Sequence, residues 1–106
     1  MTVERTPPYW AVIFTSRRSP RGEDGYDAAA ARMMELAGEQ PGFLGAESAR
    51  GADGVGITVS YWSSPDAIRA WREHPEHRTV RERAGEWYDG YRLRVCRVER
   101  DGGVPD

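Results

Sequence analysis

Both histidines of this 106-residue chain stand three positions apart in the stretch AWREHPEHR, residues 70–78, beside Trp71. Residues at i and i+3 are helix neighbours, so an unbroken helix would turn His74 and His77 toward one ion. Pro75 between them spoils that continuity, and with two histidines and one cysteine the chain lacks the four Cys or His ligands of a structural zinc site. Glu73 and Glu76 could add oxygens, but such pairs are common on solvated faces. No dedicated metal site is expected, and His74 reads as a loop or capping residue.

His77 shares a helical stripe with Val80, Arg81, Ala84, Trp87 and Tyr88, the apolar face that a helix turns toward a sheet. A histidine there is either packed and hydrogen-bonded to a neighbour or a pocket-lining base, since imidazole exchanges protons near neutral pH. Trp71 shares a face with Ile68 and projects between helix and sheet, while Trp10, Trp62 and Trp87 supply further aromatic walls. Large rings of this kind serve a core or a small-molecule pocket equally well. Arg81 either anchors a phenolate or carboxylate or snorkels to solvent. Cys96 reads as a small apolar filler in a strand. No phosphate loop, nucleotide fingerprint, nucleophile elbow or paired-carboxylate motif is present.

The elements that must position these residues follow from periodicity. YWAVIFTSR (9–17) is a strand apolar on both faces, with Tyr9, Ala11 and Ile13 on one and Trp10, Val12 and Phe14 on the other. Residues 23–39 carry helical spacing in Tyr26, Ala29, Ala30, Met33, Leu36 and Ala37, stopped by Gly38 and Pro41-Gly42. FLGAESAR (43–50) and VGITVSYW (55–62) form a hairpin across GADG. Ser64 is an N-cap with Pro65 at the first helical position, and that helix runs to about Glu73. His74 precedes proline and breaks it; helix resumes through 76–88. YRLRVCRVE (91–99) closes the chain as a strand.

The order is βαββαβ, the ferredoxin-like α+β arrangement: a four-stranded antiparallel sheet with helices on one face. The other sheet face is apolar too, so a second copy is expected to cover it as a symmetric dimer. One domain spans 1–106, its folded core at about 9–99 and its ends, 1–7 and 101–106, flexible. The net charge of −2 excludes the basic excess that nucleic-acid binding needs. No apolar run approaches a membrane span, no leader-like segment precedes the first strand, and one cysteine suits a reducing compartment, so a cytoplasmic protein is expected.

QPGFLGAESAR followed by GITVSYWSSPDAIRAWREHPEHR resembles the antibiotic biosynthesis monooxygenase family of dimeric α+β barrels, over about residues 9–99. The shared features are the Pro-Gly-Phe entry to the second strand, the strand-Trp-Ser-x-Pro-x-Ala helix start, an aromatic Ala-Trp and a downstream histidine. The resemblance implies a homodimer with a cavity between sheet and helices in each subunit, and cofactor-independent oxygenation of an aromatic or quinol-like small molecule. It places Trp71 in the pocket wall; the reading of the residues themselves adds Trp62 and Trp87 as walls, His77 as the acceptor of a phenolic proton and Arg81 as the group that stabilises the resulting anion. The family also contains heme-degrading members, which makes heme binding through His77 the alternative; a non-catalytic ligand-binding or structural dimer is the second alternative. The chain departs from the family in having no asparagine: Phe14 stands where the first strand of heme-degrading members supplies one, and Arg81 falls at the spacing of their heme histidine.

Overall fold

The computed structural model describes residues 5–20 and 25–104. In chain order these form β1 (Tyr9–Arg18), α1 (Tyr26–Gly38), β2 (Phe43–Arg50), β3 (Val55–Trp62), α2 (Pro65–Glu73), α3 (Pro75–Glu82), α4 (Ala84–Trp87) and β4 (Tyr88–Val98). The four strands make one antiparallel sheet in the order β2-β3-β1-β4. This is the ferredoxin-like α+β arrangement, with the second helical crossover divided in three. Among the described residues no helix is long and apolar enough to cross a membrane.

Two expectations change. The helix expected over 76–88 ends at Glu82, turns at Arg83 and resumes only for Ala84–Trp87. Gly85 weakens helix there. Tyr88 is recruited into β4, pairing with Arg18 beyond a register shift, so the strand expected from 91 starts three residues earlier. The first helix, expected from 23, is seen from Tyr26; residues 21–24 lie outside the described residues, as do 1–4 and 105–106 at the ends. Asp101 in the C-terminal segment accepts a hydrogen bond from Tyr9 Oη.

The register sorts the sheet into two faces. Trp10, Val12, Phe14, Ser16 and Arg18 share one face with Trp62 of β3 and with Tyr91, Leu93 and Val95 of β4. Helices cover this face, because Trp62 stacks on Trp71 of α2 and Arg18 lies over the Tyr26 ring of α1. Tyr9, Ala11, Ile13, Ile57, Val59, Tyr61 and Cys96 point to the opposite face.

Trp62 is the best buried aromatic, 1% exposed, and its indole N–H donates to Ser60 Oγ at 2.9 Å. Its surroundings are set by the turn at Pro41-Gly42. The Gly42 carbonyl accepts from Ser63 N at 2.8 Å, immediately before Ser64 caps α2 by accepting from Ala67 N at 3.1 Å. Gly42 has φ 88°, and a Cβ there would meet Ala67 Cβ at 2.6 Å and Ser63 Oγ at 2.7 Å. Gly42→Ala therefore combines left-handed strain with overpacking. It should destabilise the fold by about 1–3 kcal/mol, read as a lower urea midpoint with an unchanged m-value.

Candidate functional site

In a continuous helix the Trp71 carbonyl would accept from the N–H of residue 75. Residue 75 is proline and has none. The carbonyl instead accepts from His74 N at 3.1 Å and lies 3.0 Å from His77 Nδ1. His74 adopts φ −60°, ψ 131°, closing α2 and opening α3, and its Nδ1 accepts from Glu76 N at 3.2 Å. His74 is thus a cap, as its place before proline implies.

This break folds His77 back over Trp71. The two rings stack with centroids 4.3 Å apart and planes within 12°, and Trp71 in turn stacks on Trp62 at 6.3 Å and 25°. Three of the expected site residues, Trp62, Trp71 and His77, therefore form one aromatic column from the sheet core to the helix surface. The other two do not join it. Arg81 is exposed, reaching His77 only through its charge. Trp87 is swung away by the turn at Arg83 and packs against Tyr26, with the Arg83 guanidinium 4.6 Å from its ring centre.

A carbonyl only accepts, so His77 Nδ1 carries the hydrogen in that contact and Nε2 holds the lone pair. Burial against the tryptophan lowers the pKa of His77; its hydrogen bond to Trp71 opposes this, and the positive charges of Arg81 and His74 lower it further. The imidazole is thus neutral at neutral pH. A bidentate pair ties α3 to α1: Arg32 Nε and Nη2 lie 3.0 and 2.9 Å from the Glu76 carboxylate, which the guanidinium holds below its usual pKa. Among the described residues no group of three or more His, Cys, Asp or Glu side chains is placed to hold a metal.

Two open clefts lie elsewhere. One, of about 520 Å³, sits at the β1–β4 register shift and includes Ser16, Arg17, Tyr91 and Arg92. The other, of about 300 Å³, lies between the Pro41-Gly42 turn and the start of α2. Neither is lined by Trp71 or His77. Sequence reasoning also missed a polar cluster beside the first cleft. There Arg50 Nη2 donates to Ser16 Oγ at 3.0 Å and to Tyr26 Oη at 3.4 Å, and Tyr88 Oη donates to Tyr26 Oη at 3.2 Å. Burial, then the bond to Tyr26, raises the Tyr88 pKa and keeps it a phenol. A hint was present in Gly56 opposite Arg50, a glycine among the β-branched Val55, Ile57, Thr58 and Val59.

Because His77 binds its proton less readily folded than unfolded, its contribution to stability is complete above its unfolded pKa of about 6.5 and is lost as pH falls through the lower folded value. His77→Gln should flatten this dependence. Urea midpoints measured from pH 7.5 down to 5 should fall more steeply for the wild type than for the variant.

The chain matches the family model described as antibiotic biosynthesis monooxygenase over residues 10–83. It is 55% identical over 95 residues to the uncharacterised protein YqjZ of Bacillus subtilis, covering 89% of this chain and 82% of that one. Among solved structures, SnoaB, a cofactor-independent oxygenase from Streptomyces nogalater, superposes with a TM-score of 0.74 at 14% identity, covering 92% of this chain and 98% of that one. Rv0793 from Mycobacterium tuberculosis gives 0.73 at 17% identity, covering 92% and 99%. These last two likenesses speak to the fold alone, but the family match spans well over half of the sequence. The chain belongs to the antibiotic biosynthesis monooxygenase family.

Proposed function

We propose that the protein is a cofactor-independent oxygenase of an aromatic or quinol-like small molecule, with His77 as general base and the Trp62–Trp71–His77 column as the wall that orders the substrate. The observation that carries this reading is the tautomer of His77: a neutral imidazole with Nδ1 occupied and Nε2 left to take a proton. Membership of a family described as antibiotic biosynthesis monooxygenase suggests the reaction class. For an activated methylene between aromatic rings, loss of a proton to Nε2 leaves a carbanion that gives one electron to dioxygen. The radical pair combines as a peroxide, which loses water to leave a carbonyl. The balance is CH₂ + O₂ → C=O + H₂O, with the substrate oxidised and dioxygen as the sole oxidant. The protein's tasks are deprotonation, positioning and exclusion of water. Arg81 favours the neutral state of the base by charge, and Trp87 supports the fold around Tyr26.

We assign the active species as a homodimer. The sheet face carrying Ile13, Val59, Tyr61 and the 48%-exposed Ile57, flanked by Glu47, Arg92 and Arg94, leaves apolar surface in water, and a second copy packed on it removes that surface.

The test is oxygen uptake with a panel of anthrones and quinols. His77→Gln should lower kcat by about 10²–10⁴-fold with the thermal midpoint nearly unchanged. Equal turnover by wild type and variant would remove His77 from the chemistry. Nε2 is also the nitrogen that a heme iron would take, so a saturable Soret shift on hemin titration, lost in His77→Gln, would replace this reading with the heme one.

A further inference from the structure

The helix-side face of the sheet is not covered throughout. Tyr91, Leu93 and Val95 of β4 are 57%, 53% and 52% exposed although they share this face with Trp62. Beside them on β1 lie Phe14, Val12 and Trp10, only partly buried. Together they form an apolar trough along two strands. From Trp10 to Ser16 it runs about 20 Å, at roughly 3.3 Å per residue.

One end of the trough is polar. Ser16 is 3% exposed there, and its Oγ accepts from Arg50. Tyr26 Oη accepts from both Arg50 and Tyr88, so its own hydrogen is left for a further acceptor. Arg50 reaches across from β2 because its cross-strand partner is Gly56: a Cβ at 56 would lie 2.7 Å from the guanidinium carbon. Its donors go to neutral groups, Ser16, Tyr26 and the Gly54 carbonyl, and no carboxylate among the described residues pairs with it. Phe14 packs at 5.4 Å from both Tyr88 and Tyr91, carrying the aromatic wall up to these donors. Apolar walls ending in a few convergent donors and an uncompensated cation are the chemistry of a site for an aromatic anion.

We propose that this trough binds a flat aromatic carboxylate, its ring over Phe14, Leu93 and Tyr91 and its carboxylate taken by Arg50 and the Tyr26 hydroxyl. The site extends the oxygenase reading by naming an anchor for the substrate's acidic end, and it rests on that reading only for the word substrate. Binding needs no turnover, so a failure of one is distinguishable from a failure of the other.

The probe is 2-naphthoate, with the neutral and nearly isosteric 2-naphthamide as control, each titrated calorimetrically into the full-length protein. Naphthoate should bind saturably and at least about tenfold tighter than the amide, as expected for a charge-assisted hydrogen bond. Tyr26→Phe, which keeps the ring against Trp87 and Arg18, should weaken naphthoate by about tenfold and the amide far less. Arg50→Gln should abolish the preference for the acid; its thermal midpoint guards against misfolding, and Tyr26→Phe stands as the independent variant. No saturable binding at millimolar naphthoate, or equal affinity for acid and amide, overturns the proposal. Leu93→Asp with light scattering checks the other occupant: an unchanged mass supports a ligand trough, and a lowered mass assigns the trough to a second copy of the chain and overturns it.

Discussion

The missing N–H of Pro75 is the constraint on which the site depends. A helix carried through residue 75 would occupy the Trp71 carbonyl in its own ladder and, at roughly 100° per residue, place His77 about 120° around the helix from Trp71. Without that donor the carbonyl is free to take His74 N and His77 Nδ1, and the chain folds sharply enough for imidazole to lie on indole. A single substitution-sensitive atom thereby fixes three things: the break, the ring stack and the tautomer. His74 completes the device, since its side chain caps the helix that its own backbone position begins.

The sheet supplies the other half of the positioning. β1 is central and pairs with both β3 and β4, so its alternation determines which residues meet on each face. Trp62 lies opposite Trp10 and beneath Trp71, which seats the column on the least exposed ring in the molecule. The Arg32–Glu76 pair links α1 to α3 from outside. Both its partners are exposed, so it steers the placement of α3 more than it stabilises the fold. Burial of Trp62 and Trp87, 1% and 2% exposed, contributes more to the energetics.

Much of this was legible in the sequence because its signals are local. β2 and β3 stand at the bounds that their alternation and the GADG turn imply, and Ser64-Pro65 begins α2 where an N-cap followed by proline should. Family resemblance and helical spacing brought Trp71 and His77 together. What was not legible depends on competition between distant elements. Continuous helical spacing over 76–88 put Trp87 beside His77, but the helix ends at Glu82 and Trp87 packs against Tyr26, while Arg81, four residues from His77 in the same helix, is exposed. The Arg50–Ser16–Tyr26–Tyr88 cluster joins four separate elements through cross-strand register, which no local pattern encodes.

The stacking also fixes the direction in which a base at this position must act. The Nε2 lone pair lies in the imidazole plane, so a proton has to arrive edge-on to the ring. That plane is held within 12° of the Trp71 ring, which is itself held against Trp62. In the proposed reaction a flat substrate approaching Nε2 with its acidic hydrogen would be guided by the same tryptophan that packs the helix on the sheet. Under the proposed reading Trp71 would be a positioning residue, setting the line of proton transfer through the orientation of His77, whose pKa burial lowers. In that reading packing and chemistry draw on one contact, the stack of His77 on Trp71.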